Sequence, residues 1–239
     1  FEDMVGLDAN DWDYNDFVAR FSCSEALVDG GLTELTCHVE PLARGASYIH
    51  ELRLALPVVG AWTATLTRYA LGQPAVQESA EVFSGEGPLD LPLYEDTRDA
   101  QPPQVGVFAN TLSDQPGFEA GRNVVVRVVL DSPASNPDGA FGEAPWDVYL
   151  RMPYLQAPNE VHRPEFAGLT EATAPHPDLL GLPLDFVQRL DSQTPRWPLE
   201  GNAIWHPWPE FVPFARRIVG FDPAWAAAAP QAGVFSHNH

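Results

Sequence analysis

Over much of its first 152 positions the chain alternates apolar and polar residues with a period of two, the signature of half-buried β-strands. Residues 17–27 and 32–42 are two such runs, and Val28-Asp29-Gly30-Gly31 between them is a strong hairpin turn signal. Over 47–59, Leu52, Leu54 and Leu56 alternate with Glu51 and Arg53, and Pro57 interrupts the run. Over 62–71, Thr63, Thr65 and Thr67 share one face while Trp62, Ala64 and Leu66 share the other. A weaker strand is expected over 76–83, and 84–104, rich in Gly, Pro and Asp, reads as loop. The stretch 123–130 (NVVVRVVL) is the clearest buried strand, too short and too β-branched for a helix. A last strand, 146–152 (WDVYLRM), is closed by Pro153.

Beyond Pro153 the texture changes to short apolar pieces with frequent proline. Two short helices are expected there. One spans 213–219, with Pro213 in its first turn and Gly220 past its end; the other spans 223–229, closed by Pro230. The tail lacks the strand count or helix length for a core of its own. The expectation is therefore a single mainly β domain over 1–239, an antiparallel β-sandwich-like fold. Its parts are an acidic loop (1–16), a β core (17–152) and a Pro-rich C-terminal cap with one or two short helices (153–239).

The two cysteines sharpen the hairpin. Folding the chain about Gly30 pairs residues whose numbers sum to 60, so Cys23 faces Cys37, Phe21 faces Val39 and Arg20 faces Glu40. Opposed residues of an antiparallel pair bring their Cβ atoms close to disulfide range. We therefore expect a Cys23–Cys37 disulfide and, with it, an oxidising compartment. Phe1 opens on an acidic segment with no apolar leader, which suits a mature secreted chain.

Thirty-three acidic and 13 basic residues give a formal charge of −20, and every base is arginine. Such a balance disfavours nucleic acid, whose phosphates need a basic footprint, and anionic membrane surfaces likewise. No apolar run is long enough for membrane insertion. Without lysine, neither a Lys–Asn isopeptide crosslink nor lysine-based catalysis is available within this chain.

The charge is densest at the opening, where Glu2, Asp3, Asp8, Asp11, Asp13 and Asp16 gather with no base among them. Carboxylates this close raise one another's pKa unless a cation neutralises them. Asp11-x-Asp13-x-Asn15-Asp16 offers oxygen donors only, which suits Ca²⁺ and disfavours zinc or copper. It is not an EF-hand: Asp16 stands at the sixth position in place of Gly, and Ser22 at the twelfth in place of Glu. Spacing alone is equally compatible with a solvated acidic loop. The motif runs straight into Phe17-Val18-Ala19-Arg20-Phe21, however, and that tether to a core strand favours a bound metal.

Phe1-Glu2-Asp3-Met4 followed by Asp11-Trp12-Asp13-Tyr14-Asn15-Asp16-Phe17-Val18 resembles the opening of the LruC-domain family, bacterial secreted or surface proteins. The resemblance continues at Gly45-Ala46-Ser47-Tyr48, at Asn159-Glu160-Val161-His162-Arg163-Pro164, and in the aromatic tail around Phe221-Asp222-Pro223-Ala224-Trp225. It implies a β-sandwich-like extracellular domain with a calcium-associated acidic loop and no established catalytic activity. Carried over, the metal positions are Glu2, Asp3, Asp11, Asp13, Asn15 and Asp16, with Asp8 and the distant Glu160 as further candidates.

Two rivals are weighed against a structural or adhesive role. A hydrolase would draw on Glu160 and His162, which share a face if their segment is extended, but no G-x-S-x-G elbow supplies a nucleophile. A carbohydrate-binding module would draw on Trp197, Trp205 and Trp208, which are expected instead to clamp the tail onto the core. The resulting expectation is a non-enzymatic, calcium-binding domain at the bacterial cell surface or outside the cell. Its partner would be a further copy of itself, in a fibre or other surface assembly, or a surface glycan.

Overall fold

The computed structural model describes residues 16–115, 117–134, 146–153, 159–162, 175–177, 196–203, 206–209 and 234–236. The first hairpin pairs β1 (Val18–Val28) with β2 (Gly31–Ala43). Its two-residue turn has φ 51° at Asp29 and 81° at Gly30, the doubly left-handed geometry that Asp-Gly favours and that matches strand twist. A turn of that length opposes Val28 to Gly31. A register shift between Ala26 and Leu27, which leaves Thr33 unpaired opposite β1, then brings Phe21 opposite Val39 and Cys23 opposite Cys37. The expected register holds from the pair Ala19–Pro41 to the pair Ala26–Glu34, because the bulge absorbs one residue.

Then follow β3 (Glu51–Leu56), β4 (Ala61–Ala70), β5 (Gln73–Glu86), β6 (Leu89–Tyr94), the single-turn helix α1 (Thr97–Ala100), β7 (Val124–Ala134) and β8 (Asp147–Met152). Short strands β9 (Asn159–His162), β10 (Pro175–Pro177), β11 (Arg196–Pro198) and β12 (Val234–Ser236) complete the described elements. One sheet has the order β1-β2-β7-β4-β5 and the other β10-β9-β8-β3-β6, while β11 and β12 form a separate pair. All pairings are antiparallel except β9 with β10. The chain crosses between the two large sheets after β2, β3, β5, β6 and β7. The fold is thus mainly β and sandwich-like.

Period-two faces build the core. From the first sheet come Leu35, Cys37, Val39, Ala64, Leu66, Val124, Val126 and Val128; from the second, Leu52, Leu54, Leu56, Leu89, Leu91, Val148 and Leu150. Trp146 closes one side of this core with its ring edge-on to Phe21, centroids 5.6 Å apart.

The loop reading of 84–104 is overturned. β5 runs on to Glu86, and Leu89, Leu91 and Leu93 of β6 are buried against β3. Pro88 and Pro92 obscure this alternation in the sequence, but β6 has no outer neighbour among the described residues, and at such an edge a missing N–H costs no ladder bond. β5 is also longer than the expected 76–83, because Trp62 covers Gly85 opposite it: a Cβ there would lie 2.5 Å from the ring. The 47–59 strand is shorter than expected, only Glu51–Leu56. The expected helices over 213–219 and 223–229 lie outside the described residues.

Candidate functional site

Of the acidic opening, Asp16 is described; Glu2, Asp3, Asp8, Asp11, Asp13 and Asn15 lie outside the described residues. Asp16 is 8% exposed and directly precedes Phe17, a fully buried member of the core cluster. β1 starts one residue later, with Val18 opposite Ala43 at the end of β2. The acidic segment therefore enters the fold beside residue 44.

Arg44 is fully buried there. Its Nε donates to the Thr97 hydroxyl (3.2 Å), its Nη1 to the Val107 carbonyl (2.9 Å) and its Nη2 to the Tyr48 carbonyl. Its backbone exchanges two 2.9 Å hydrogen bonds with Ala109. A guanidinium does not lose its proton, so this end of the sandwich carries a permanent buried cation. The next cation-lined group is Asp96, which caps α1 by accepting from the Arg98 amide at 2.9 Å. Burial alone would raise the Asp96 carboxyl, but the hydrogen bonds and charge of Arg98, with Arg44 behind them, bring it below the usual carboxylate range.

Asn110 organises the loop between α1 and β7 at the same end. Its Nδ2 donates to the carbonyls of Leu42 (2.6 Å) and Glu119 (2.8 Å), and its Oδ1 accepts from the Glu119 amide (3.0 Å). Its own carbonyl accepts the Trp197 indole N–H at 2.7 Å. Trp197 packs on Leu42 and Ala43 and is 2% exposed, and Trp208 is 4% exposed. Neither ring offers a face to a sugar; the expected clamping is seen for Trp197, which packs on β2 residues, and Trp205 lies outside the described residues.

Glu160 sits elsewhere, on the outer face of the second sheet. It is buried, with its Oε1 3.8 Å from the Arg151 Nε. Arg53 binds Glu51 (2.7 Å) and Asp90 (2.9 Å) on that face, and the buried Tyr149 hydroxyl donates to Asp90 at 2.9 Å. Burial, reinforced by the charges of Asp90 and Glu160, drives the Tyr149 phenol well above its ordinary range. Glu160 thus belongs to a polar lattice of carboxylates and arginines. His162, the partner of Glu160 in the hydrolase reading, has its side chain outside the described residues.

Among the described residues no three His, Cys, Asp or Glu side chains gather as a metal site. The donor set of the opening is itself all oxygen, carboxylates with one carboxamide, which fits a hard cation such as calcium. The sequence reading missed Arg44 and Asn110. Arg44 had a signal, a lone cation in the small and apolar run Pro41-Leu42-Ala43-Arg44-Gly45-Ala46. Asn110 had none in periodicity, since its role depends on partners nine or more positions away.

The cysteine prediction holds: Cys23 and Cys37 are joined by a disulfide across the hairpin, with their Cα atoms 4.1 Å apart. Fold and bridge together define a disulfide-clasped antiparallel β-sandwich-like protein. The chain belongs to the family described as Domain of unknown function (DUF4842), which matches residues 30–175, from the hairpin turn through β9 and the first residue of β10. The acidic opening precedes the matched span. Neither the curated proteins nor the solved structures give a match. No helix among the described residues is long and apolar enough to cross a membrane.

Proposed function

We propose that this protein is a secreted, calcium-stabilised structural or adhesive domain of a bacterial cell surface. One observation carries the reading: Asp16, the last oxygen donor of the acidic opening, is buried where that segment joins the core strand β1. A cation held by Asp11, Asp13, Asn15 and Asp16, with Glu2 and Asp3 nearby in sequence, would be coupled to the packing of Phe17 and to the hairpin behind it. Binding free energy at such a junction becomes folding free energy. The LruC-like opening and the Cys23–Cys37 bridge, which suits an oxidising compartment, support the same reading.

The test is thermal unfolding with calcium and with chelator. At free calcium about a hundred times its Kd, the gain is about 2.7 kcal/mol. For a chain of this size that raises Tm by roughly 5–10 °C. Replacing Asp11 and Asp13 together by Ala should erase the shift, and identical melting curves for the wild type in both conditions would refute the calcium site.

A role in assembly has support of its own. β5 has no outer neighbour among the described residues, its ladder to β4 is unbroken from Ser79 to Glu86, and Val82 in its middle is 68% exposed. Residues 77–86 contain no proline to blunt such an edge, and two of their three glutamates, Glu78 and Glu81, are paired with Arg122 and Arg68. Gel filtration in the same two conditions reads this out, and a monodisperse monomer in both counts against assembly.

A further inference from the structure

The outer face of the first sheet carries a cavity of about 340 Å³ that the calcium reading does not use. Its floor comes from four adjacent strands. Inward-facing Phe21, Cys37, Val39 and Val124 send their neighbours outward, so that side chains from different strands line up in rows across the sheet. One row runs from Arg20 to Glu40, which oppose each other across the hairpin, and on to Asn123 and Tyr69, linked by a 3.0 Å hydrogen bond from the Tyr69 amide to the Asn123 carbonyl. The adjacent row holds Ser22 and His38, opposed in β1 and β2, beside Val125 of β7. Pro74 lines the cavity where β5 bulges away from β4, between the pairings Ala70–Gln73 and Tyr69–Gln77.

The chemistry of this lining is selective. Arg20 Nη1 and Glu40 Oε2 pair at 2.9 Å, each about one-third exposed, so the two formal charges cancel inside the cavity. An anion would approach against the field of a protein carrying −20 charges. A cation would meet a carboxylate already engaged by arginine. A neutral ligand faces neither penalty. Around Tyr69, whose half-buried ring gives an apolar face, stand a guanidinium that donates, a carboxylate that accepts and a carboxamide that does both. A pyranose ring has the matching pattern, with C–H groups on one face and hydroxyls, each donor and acceptor, at its rim. Cavities of about 300 Å³ and above are of ligand-binding size.

We propose that this cavity is a binding site for neutral saccharides, with the Tyr69 ring as stacking platform and Arg20, Glu40 and Asn123 as hydroxyl partners. None of the lining residues belongs to the acidic opening, so the proposal does not rest on the calcium reading.

The experiment is a screen of the full chain, with calcium and with chelator, on immobilised neutral, uronic and sulfated oligosaccharides. Isothermal titration with the strongest soluble oligosaccharide follows. The expected result is binding to at least one neutral glycan. Tyr69→Ala should weaken that binding by about tenfold or more, the loss of one stacking contact, and Tyr69→Phe should retain it. Ser22→Trp fills the cavity from an exposed position and should abolish binding without moving Tm, which covers the case of a Tyr69→Ala variant that fails to fold. A silent array, a preference for uronic or sulfated chains, or binding unchanged by Ser22→Trp would overturn the proposal.

Discussion

At Asn110 a φ of 57° coincides with three side-chain hydrogen bonds, all to buried or partly buried backbone. Asparagine is among the few residues that accept the left-handed region, and its carboxamide supplies both donor and acceptor in one plane. Alanine would be strained there and would leave the carbonyls of Leu42 and Glu119 without this donor. The expected cost of Asn110→Ala is about 2–4 kcal/mol, combining the lost hydrogen bonds with backbone strain. Asn110→Gly relieves the strain only and should cost less. Urea denaturation of both variants decides this, and an Ala variant as stable as wild type would show that the loop does not depend on the residue.

The hairpin is the element where local chemistry acts most directly. The Asp29-Gly30 turn sets its twist, the Thr33 bulge its register, and the Cys23–Cys37 bridge closes a separation of 14 residues. Closing a loop of that size removes denatured-state entropy worth about 3 kcal/mol. Reduction, or replacement of both cysteines by Ala, should therefore lower Tm by roughly 6–12 °C. The loss reaches beyond the hairpin, because Cys37 is fully buried among core residues of both sheets. Calorimetry with and without reductant measures it, and a drop of less than a degree would mean that the turn and the core already hold the strands together.

For the whole molecule, the two sheets differ in what their outer faces carry. The first presents serine, threonine, histidine and exposed arginine, while the second keeps Asp147, Tyr149 and Glu160 buried. Tyr149 and Tyr94 are both held protonated by burial, well above the ordinary phenol value. In the unfolded chain they titrate near pH ~10. Below that pH their contribution to stability is fully present. Above it the unfolded state sheds protons that the fold retains, so stability falls as pH rises, by up to about 1.4 kcal/mol per pH unit for each phenol. Tyr149→Phe should remove part of this alkaline slope while leaving the neutral-pH curve shape intact. Denaturant titrations from pH 8 to about 11 provide the check, and equal slopes in wild type and variant would contradict the burial argument.

Much of the fold was legible because a strand's side-chain period and a hairpin's turn are local properties. Leu52-x-Leu54-x-Leu56, Ala64-x-Leu66 and the valines of 124–128 show their core faces in the sequence, and the Cys23–Cys37 pairing follows from arithmetic about Gly30. The all-oxygen opening is equally legible as a candidate metal loop, and Asp16 is placed at its junction with the core. Tertiary structure decided the rest. β6 is a strand because β3 offers it a partner and because an edge tolerates Pro92. Arg44 and Asn110 matter through the carbonyls of Val107 and Leu42, each more than sixty positions away along the chain. The row Arg20–Glu40–Asn123–Tyr69 exists only once β1, β2, β7 and β4 lie side by side, a sheet order that no local pattern encodes. Periodicity tells each residue which way to face; only the pairing of distant strands determines which residues it faces alongside.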